Sequence, residues 1–440
     1  MKRLLMIANP FPPMASAGNA RLLRFLRHLP TEGWQTTVLT AKAKGPVPVP
    51  EGVRVERAAA PGPESLYTLA RRLRPSRQGG ESAGATDTRV TSAGAADGAR
   101  AGGERGSGER APQALTAGRS RRSGPINDWF LIPDPYAGWI SPATRRGRRL
   151  LAEQPYDAIF SSSPRPSVHV VAARLAGHSN VPWLADYRDP WTTYQFRRYP
   201  TPLHRTLHQK LERWALGKAA HVTAVNQPII DALVARDASL TGRTTVLPNG
   251  YDLDEPADAV DLGAGFWFVH TGRLYGREPQ VRAFLDALAA LPDDVGVLFV
   301  GLHSPFVSDH ARSLGIEDRV RVEPYVPHAR ALGCQRTADA VLLVNGRRPE
   351  SMSSKVFEYL VSGRPIFAIS PQQSAARELF ADTGGATCVL PDDEMKTPLA
   401  DFVGGVRAGT LRGAEREPVS RYDAGTLTAE LAALLEEIAR

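Results

Sequence analysis

Apolar residues along this chain fall into two alternating patterns. Short continuous runs, RLLMIAN (3–9), QTTVLTA (35–41), DAIFSSS (157–163), VPWLADY (181–187) and HVTAVN (221–226), read as buried strands. Between them, ARLLRFLRHLPTEG (20–33), SPATRRGRRLLAEQ (141–154), SVHVVAARLAG (167–177) and LHRTLHQKLERWALGKA (203–219) read as helices. IIDALVAR (229–236) and TTVLPNG (244–250) complete this half. The acidic, apolar-poor stretch 251–265 then interrupts the pattern. A second series follows: FWFVHTG (266–272), VRAFLDALAAL (281–291), VGVLFVG (295–301), RVRVEPYV (319–326), ADAVLLVN (338–345) and PIFAIS (365–370). Strands alternating with helices predict α/β domains with parallel sheets covered on both faces. The economical division is a Rossmann-like domain over 1–250, a linker over 251–265, a second Rossmann-like domain over 266–422 and an amphipathic C-terminal helix over 423–440.

Composition changes that picture at one place. The formal net charge is +8, but residues 71–124 carry eleven arginines against five acids and so supply +6 of it. That Gly/Ala/Ser/Arg-rich segment has too few apolar groups to offset the cost of ordering, which predicts a disordered insertion in the first domain. It reads either as a solvated loop or as a tether to anionic lipid headgroups. Without aromatic platforms between the arginines, nucleic acid is disfavoured as a partner. No apolar run approaches the roughly 20 residues of a membrane span. The opening MKRLLMIANPFPP reads as a first strand rather than a leader. Two cysteines, Cys334 and Cys388, form no framework and suit a reducing cytoplasm.

Candidate chemistry gathers where strands are predicted to end. In PESMSSKVFEYLVSGRP (349–365), Ser353 or Ser354 is placed to cap a helix beginning near Lys355, with Glu350 before it and Glu358 in its first turns. Two acids thus bracket a helix N-terminus suited to an anion. In FVHTGRLYGREP (268–279), Arg273 and Arg277 are placed to grip a diphosphate or stand as surface cations. PPMASAGNAR (12–21) offers Gly18 for close backbone approach and Asn19 as a cap, without the G-x-G-x-x-G spacing of a dinucleotide site. LADYRDPWTTY (184–194) gathers Asp186, Arg188, Asp189 and Trp191, suited to hydroxyl binding or proton acceptance, and His169 lies one turn into a neighbouring helix. Asp252 and Asp254 form a D-x-D that is better read as solvated connector than as a metal pair. No metal cluster, Walker A run or G-x-S-x-G elbow appears.

Taken in order, the PP…G loop, DYRDPW, VLPNGYD, TGRLYG and the E-x7-E ending in KVFEYLVSGRP resemble the retaining glycosyltransferases of family 4, which have two Rossmann-like domains facing a cleft (the GT-B fold). The resemblance covers nearly the whole chain except 71–124. It implies a nucleotide-sugar substrate, with no further cofactor and no metal, held mainly by the C-terminal domain. Glu358 would take the ribose hydroxyls. The amides around Ser353, Ser354 and Lys355, with Arg273 and Arg277, would take the diphosphate, and Glu350 would lie by the donor sugar. Gly18 and Asn19 would border the donor from the other domain. The chain departs from the family pattern in carrying Arg277 where a lysine is usual. It also carries DYRDPW where relatives have a histidine loop, so Asp186, Arg188 or Asp189 could serve on the catalytic face. Asp189 is the favoured one, with Asp186, Arg188, Trp191 and His169 on the acceptor side. The acceptor would be lipid-linked, polymeric or small, and the enzyme cytoplasmic or peripheral at the inner face of a membrane. A catalytically silent nucleotide-sugar or glycan-binding protein on the same scaffold is the alternative.

Overall fold

The structure is a computed structural model. It describes the chain except residues 15, 17, 46, 62–130, 194–196, 198, 275, 302–304 and 351. The expected disordered insertion, 71–124, lies outside the described residues.

The first half forms a seven-stranded parallel sheet in the order β3-β2-β1-β4-β5-β6-β7. Its strands are β1 (Lys2–Ala8), β2 (Trp34–Ala41), β3 (Arg54–Ala58), β4 (Ala158–Ser162), β5 (Trp183–Tyr187), β6 (His221–Ala224) and β7 (Thr244–Val246). Helices α1 (Asn19–His28), α2 (Ala137–Glu153), α3 (Pro166–Ser179), α4 (Pro202–Leu216) and α5 (Gln227–Val234) cover it. The edge strand β3, VERA flanked by polar residues, carries no continuous apolar run and is not predicted by the pattern.

The second half is a six-stranded parallel sheet in the order β10-β9-β8-β11-β12-β13. It comprises β8 (Phe266–Thr271), β9 (Val295–Val300), β10 (Val320–Glu323), β11 (Ala340–Val344), β12 (Ile366–Ile369) and β13 (Ala386–Val389). Around it lie α6 (Glu278–Leu288), α7 (Pro305–Ser313), α8 (His328–Thr337), α9 (Lys355–Val361), α10 (Ala375–Thr383), α11 (Lys396–Arg407) and α12 (Arg416–Ser420). Both sheets are therefore Rossmann-like, and together they make a GT-B architecture. In each, the strand order reverses once, between β1 and β4 and between β8 and β11. Loops leaving the carboxyl ends part there and open a crevice for a ligand.

The C-terminal helix, α13 (Ala424–Ile438), departs from the expected simple tail. Its Leu427, Leu431 and Leu435 pack with Leu4, Met6, Leu22 and Phe25 in the core of the first domain. The last helix thus crosses back and covers one face of the N-terminal sheet with α1.

The connector is also more ordered than its acidic composition implies. Arg21, Arg24 and Arg27, one turn apart on α1, hold it in sequence. Arg21 donates to the carbonyls of Leu247 and Pro248, and Arg24 donates to that of Gly250 at 2.8 Å and to Glu255. Arg27 pairs with Asp252. Asp252 is buried and also accepts from the amide of Asp254 at 3.0 Å, so the D-x-D is an arginine-bound turn rather than solvated connector. Gly250 sits at φ 67°. A Cβ there would come within 2.5 Å of the Tyr422 carbonyl, so this close crossing of linker and C-terminus requires glycine.

Candidate active site

On the C-terminal side, the site is assembled around the end of β8. Gly272, at φ 109°, turns the chain out of the strand and presents Arg273 to solvent. Arg277 reaches across to the end of β11, donating to the Val344 carbonyl at 2.6 Å. Glu358 comes to the same place from α9. It is buried, pairs with Lys355 at 2.9 Å and accepts from Gln335 of α8 at 3.1 Å. Gln335 also donates to the Thr271 hydroxyl at 2.9 Å, and the Tyr359 hydroxyl accepts from the Thr271 amide at 2.8 Å. Burial raises the Tyr359 hydroxyl to about 12, so it stays a protonated strut between β8 and α9. Beside it, burial lowers His270 to about 4. That imidazole is neutral at physiological pH, with one nitrogen bonded to the Leu342 carbonyl at 2.9 Å.

At the start of α9, only one of the two candidate serines bonds a helix amide. Ser354 occupies the cap position in a helical conformation and its side chain makes no capping bond. Ser353 does the bonding instead, accepting from the Lys355 amide at 3.3 Å. Glu350 lies in the loop between β11 and α9, half-buried, with Arg348 at 3.6 Å. Its carbonyl accepts from Asn226, at the end of β6, at 3.1 Å. Arg348 in turn approaches the Thr193 carbonyl. These contacts join loops from the carboxyl ends of both sheets, so the two crevices face each other across one cleft.

On the N-terminal side, the acids at the end of β5 separate into different roles. Asp186 has no exposure. Its carboxylate accepts from Arg21 at 2.9 and 3.1 Å, from Ser162 at 2.6 Å and from Thr223 at 2.9 Å. Burial alone would raise its pKa, but the Arg21 charge and these hydrogen bonds bring it below the ordinary value. The carboxylate is a sealed structural anion with no oxygen left for an acceptor. Asp189, three residues further along, is only partly buried, and among the described residues no hydrogen bond ties its carboxylate. Burial raises its pKa against the opposing Arg188 charge. Arg188 spans back to the carbonyl of Gly18, and a Cβ on Gly18 would meet its guanidinium at 2.5 Å.

Three other sequence candidates are corrected by burial or geometry. His169 is fully buried, stacked on Tyr187 at 4.7 Å and bonded to Ser161 at 2.8 Å, and desolvation takes it to about 3. Trp191 is also in the core and donates to His208 at 3.1 Å. Neither reaches an acceptor. Asn19 does not cap α1. It is the first helical residue, its amide donates to the Met14 carbonyl at 2.7 Å, and Gly18 holds the cap position. Conversely, Gln335, Tyr359 and Asn226 position the site and are not singled out by the motifs. Asn226 before Pro228 carries a signal in its helix-capping pattern, and it does cap α5 through the Ile229 amide at 3.2 Å. A mid-helix glutamine or tyrosine carries no such signal.

Comparison with known proteins agrees with this architecture. Residues 103–255 match the family model described as Glycosyltransferase Family 4. No curated protein sequence matches the chain. Among solved structures, the chain is similar to Anabaena HepE in complex with UDP and glucose, at 16% identity over 99% of this chain and 100% of that one, with a TM-score of 0.63. A glycosyltransferase from Rickettsia africae is 10% identical over 99% and 98% of the two chains, with a TM-score of 0.60. Sucrose-phosphate synthase from Thermosynechococcus elongatus is 16% identical over 100% and 96%, with a TM-score of 0.57. At these identities the structural likeness establishes the fold.

Proposed function

We propose that this chain, a glycosyltransferase of the GT-B fold related to family 4, moves a sugar from a nucleotide-sugar donor to a glycan or lipid-linked acceptor with retention of configuration. The observation that carries this reading is that Glu358, paired with Lys355, is tied through Gln335 to the end of β8, where Arg273 leaves the strand, while Arg277 reaches the end of β11, so that these residues border the β8/β11 switch point. The complex of the similar HepE with UDP supports a uridine diphosphate sugar as the first donor to try.

In this reading Glu358, already ordered by Lys355 and Gln335, accepts from the ribose hydroxyls. The bond from the anomeric carbon to the diphosphate oxygen breaks, and its electron pair leaves with the diphosphate. Arg273, Arg277 and the amides around Ser353–Lys355 stabilise that charge, a task that otherwise falls to a divalent metal. The acceptor hydroxyl forms the new bond on the face the diphosphate vacates and releases its proton. Asp189, with a raised pKa and an untied carboxylate, is the proton acceptor on that side. Glu350 lies by the donor sugar. The cytoplasmic location, inner-membrane contact and independence of metal belong to this proposal.

A panel of nucleotide sugars tested by thermal shift, followed by turnover in chelator and assignment of the product anomer, tests it. One donor should raise the melting temperature and be consumed in chelator to give a retained product. Replacing Arg273 or Arg277 with Ala should cost about 2–4 kcal/mol in kcat/KM. A donor bound but never hydrolysed or transferred would favour the silent binding protein, and loss of activity restored only by magnesium or manganese would overturn metal independence.

A further inference from the structure

Helix α4 presents two faces that differ in kind. His204, His208, Glu212 and Ala215 point inward and are buried, as a helix packed on a sheet requires. The adjacent stripe, Leu203, Leu207, Lys210 and Trp214, is spaced at four, three and four residues and so runs along one side of the helix. Leu203 is 64% exposed, Leu207 41% and Trp214 42%. Among the described residues only seven large apolar side chains are exposed, and three of them share this stripe. Leu207, Lys210, Leu211 and Trp214 also line an open, almost wholly apolar groove of about 370 Å³, closed on its other side by Ile132.

The charge around the stripe has one sign. Arg205, Lys210 and Arg213 are exposed on the same helix and Lys218 follows it, whereas its single acid, Glu212, is buried. An apolar strip containing a tryptophan, flanked by Lys210, Arg213 and Lys218 on a helix without an exposed acid, matches the boundary between headgroups and acyl chains of an anionic bilayer. It fits an acidic protein partner less well, because the groove would be left without a polar group to meet.

We infer that α4 is a membrane-docking helix: it lies on an anionic phospholipid surface with Leu203, Leu207 and Trp214 among the acyl chains and Lys210, Arg213 and Lys218 at the phosphates. The helix begins directly after the loop that leaves β5 through Asp189 and that Arg348 touches from the other domain. Docking along α4 therefore brings the rim of the cleft to the membrane surface, where a lipid-linked acceptor would present its hydroxyl. None of the residues named for this surface belongs to the arginine-rich segment 71–124, and the inference about binding does not depend on the transfer reaction.

The test uses the full chain and vesicles of phosphatidylcholine with and without phosphatidylglycerol, compared by co-sedimentation at low and high salt. The wild type should bind the anionic vesicles at least about fivefold more tightly. Leu207→Ser with Trp214→Ser should weaken that binding about tenfold or more at both salt concentrations, since apolar insertion is not screened. Lys210→Glu with Lys218→Glu should weaken it chiefly at low salt. Every variant keeps 71–124, so any binding that segment confers is common to all. Brominated lipid should quench part of the wild-type emission, and Trp214→Phe should lose that part. Unchanged vesicle binding in the Leu207/Trp214 variant would overturn the proposal. So would a change from dimer to monomer in that variant, which would make the stripe a contact between copies, or a large fall in melting temperature with binding intact, which would make it a covered internal face. Donor binding measured on the same variants in detergent-free buffer reports separately on the transfer reading.

Discussion

At the residue scale, two pairs of acids that look alike in sequence are set apart by what surrounds them. Asp186 answers a buried arginine, and removing its charge leaves Arg21 uncompensated inside the protein. Asp186→Asn should destabilise the fold by about 3–5 kcal/mol in a urea titration. Asp189→Asn should leave the urea midpoint nearly unchanged and lower kcat, because its carboxylate holds nothing in place. Equal loss of stability in both variants would refute this separation. The second pair is Glu350 and Glu358. On the proposed reading Glu358 binds ribose hydroxyls, which do not change during reaction, so Glu358→Gln should mainly raise the donor KM. On the same reading Glu350 faces the donor sugar, where charge develops, so Glu350→Gln should lower kcat more than it raises KM. A kcat loss confined to Glu358→Gln would reverse the two assignments. Since Glu358 also anchors Lys355 and Gln335, the comparison requires matched melting temperatures.

At the scale of elements, the arginine face of α1 makes the linker a clamp rather than a tether. Glu255 is its far end, bonded to Arg24 at 3.0 Å and to His328 at 3.1 Å. Burial would raise its pKa, but the bonds from His328 and Arg24 outweigh that and hold it at about 2. A depressed folded value means that Glu255 contributes stability above its ordinary value of 4.5, and that the contribution fades as pH falls toward 2. Glu255→Gln should therefore cost about 1–3 kcal/mol at neutral pH, and less than about half of that gap should survive at pH 3. A gap that is constant from pH 7 to pH 3 would mean the carboxylate charge is not what stabilises the clamp.

At the scale of the whole molecule, the first domain takes a core element from the far end of the chain. Leu431 is fully buried at the interface of α13 with β1 and α1, far in sequence from either. Leu431→Ala should cost about 2–5 kcal/mol through the cavity it leaves. The loss should appear first as faster hydrogen exchange in β1, at the opposite end of the chain. Exchange enhanced only in the second domain would show that α13 does not stabilise the first. Because the linker and the C-terminus cross at Gly250, any closing motion of the cleft must bend both strands of this crossing together.

Local pattern was enough to make the architecture legible. Continuous apolar runs such as LLMIA and VGVLFV are too short for buried helices and fit strands buried on both faces, and the helices between them favour parallel order, so two Rossmann-like sheets follow from period and length together. Edge strand β3 escaped because an edge needs no second apolar face. The motif around Lys355 and the arginines after β8 were likewise readable, because glycine turns and strand ends put them at loops by short-range geometry. What the residues would touch was not readable. Asp186 and Asp189 lie three residues apart, and only the packing of α1, 165 residues away in sequence, decides that one is sealed by Arg21 and the other keeps a partly exposed carboxylate without a hydrogen bond among the described residues. His169 and Trp191 read as polar or aromatic candidates until long-range packing buries them. A helix pattern such as that of α13 states that one face must be covered but not by what; its partner was settled by a crossing between distant segments, which no local preference encodes.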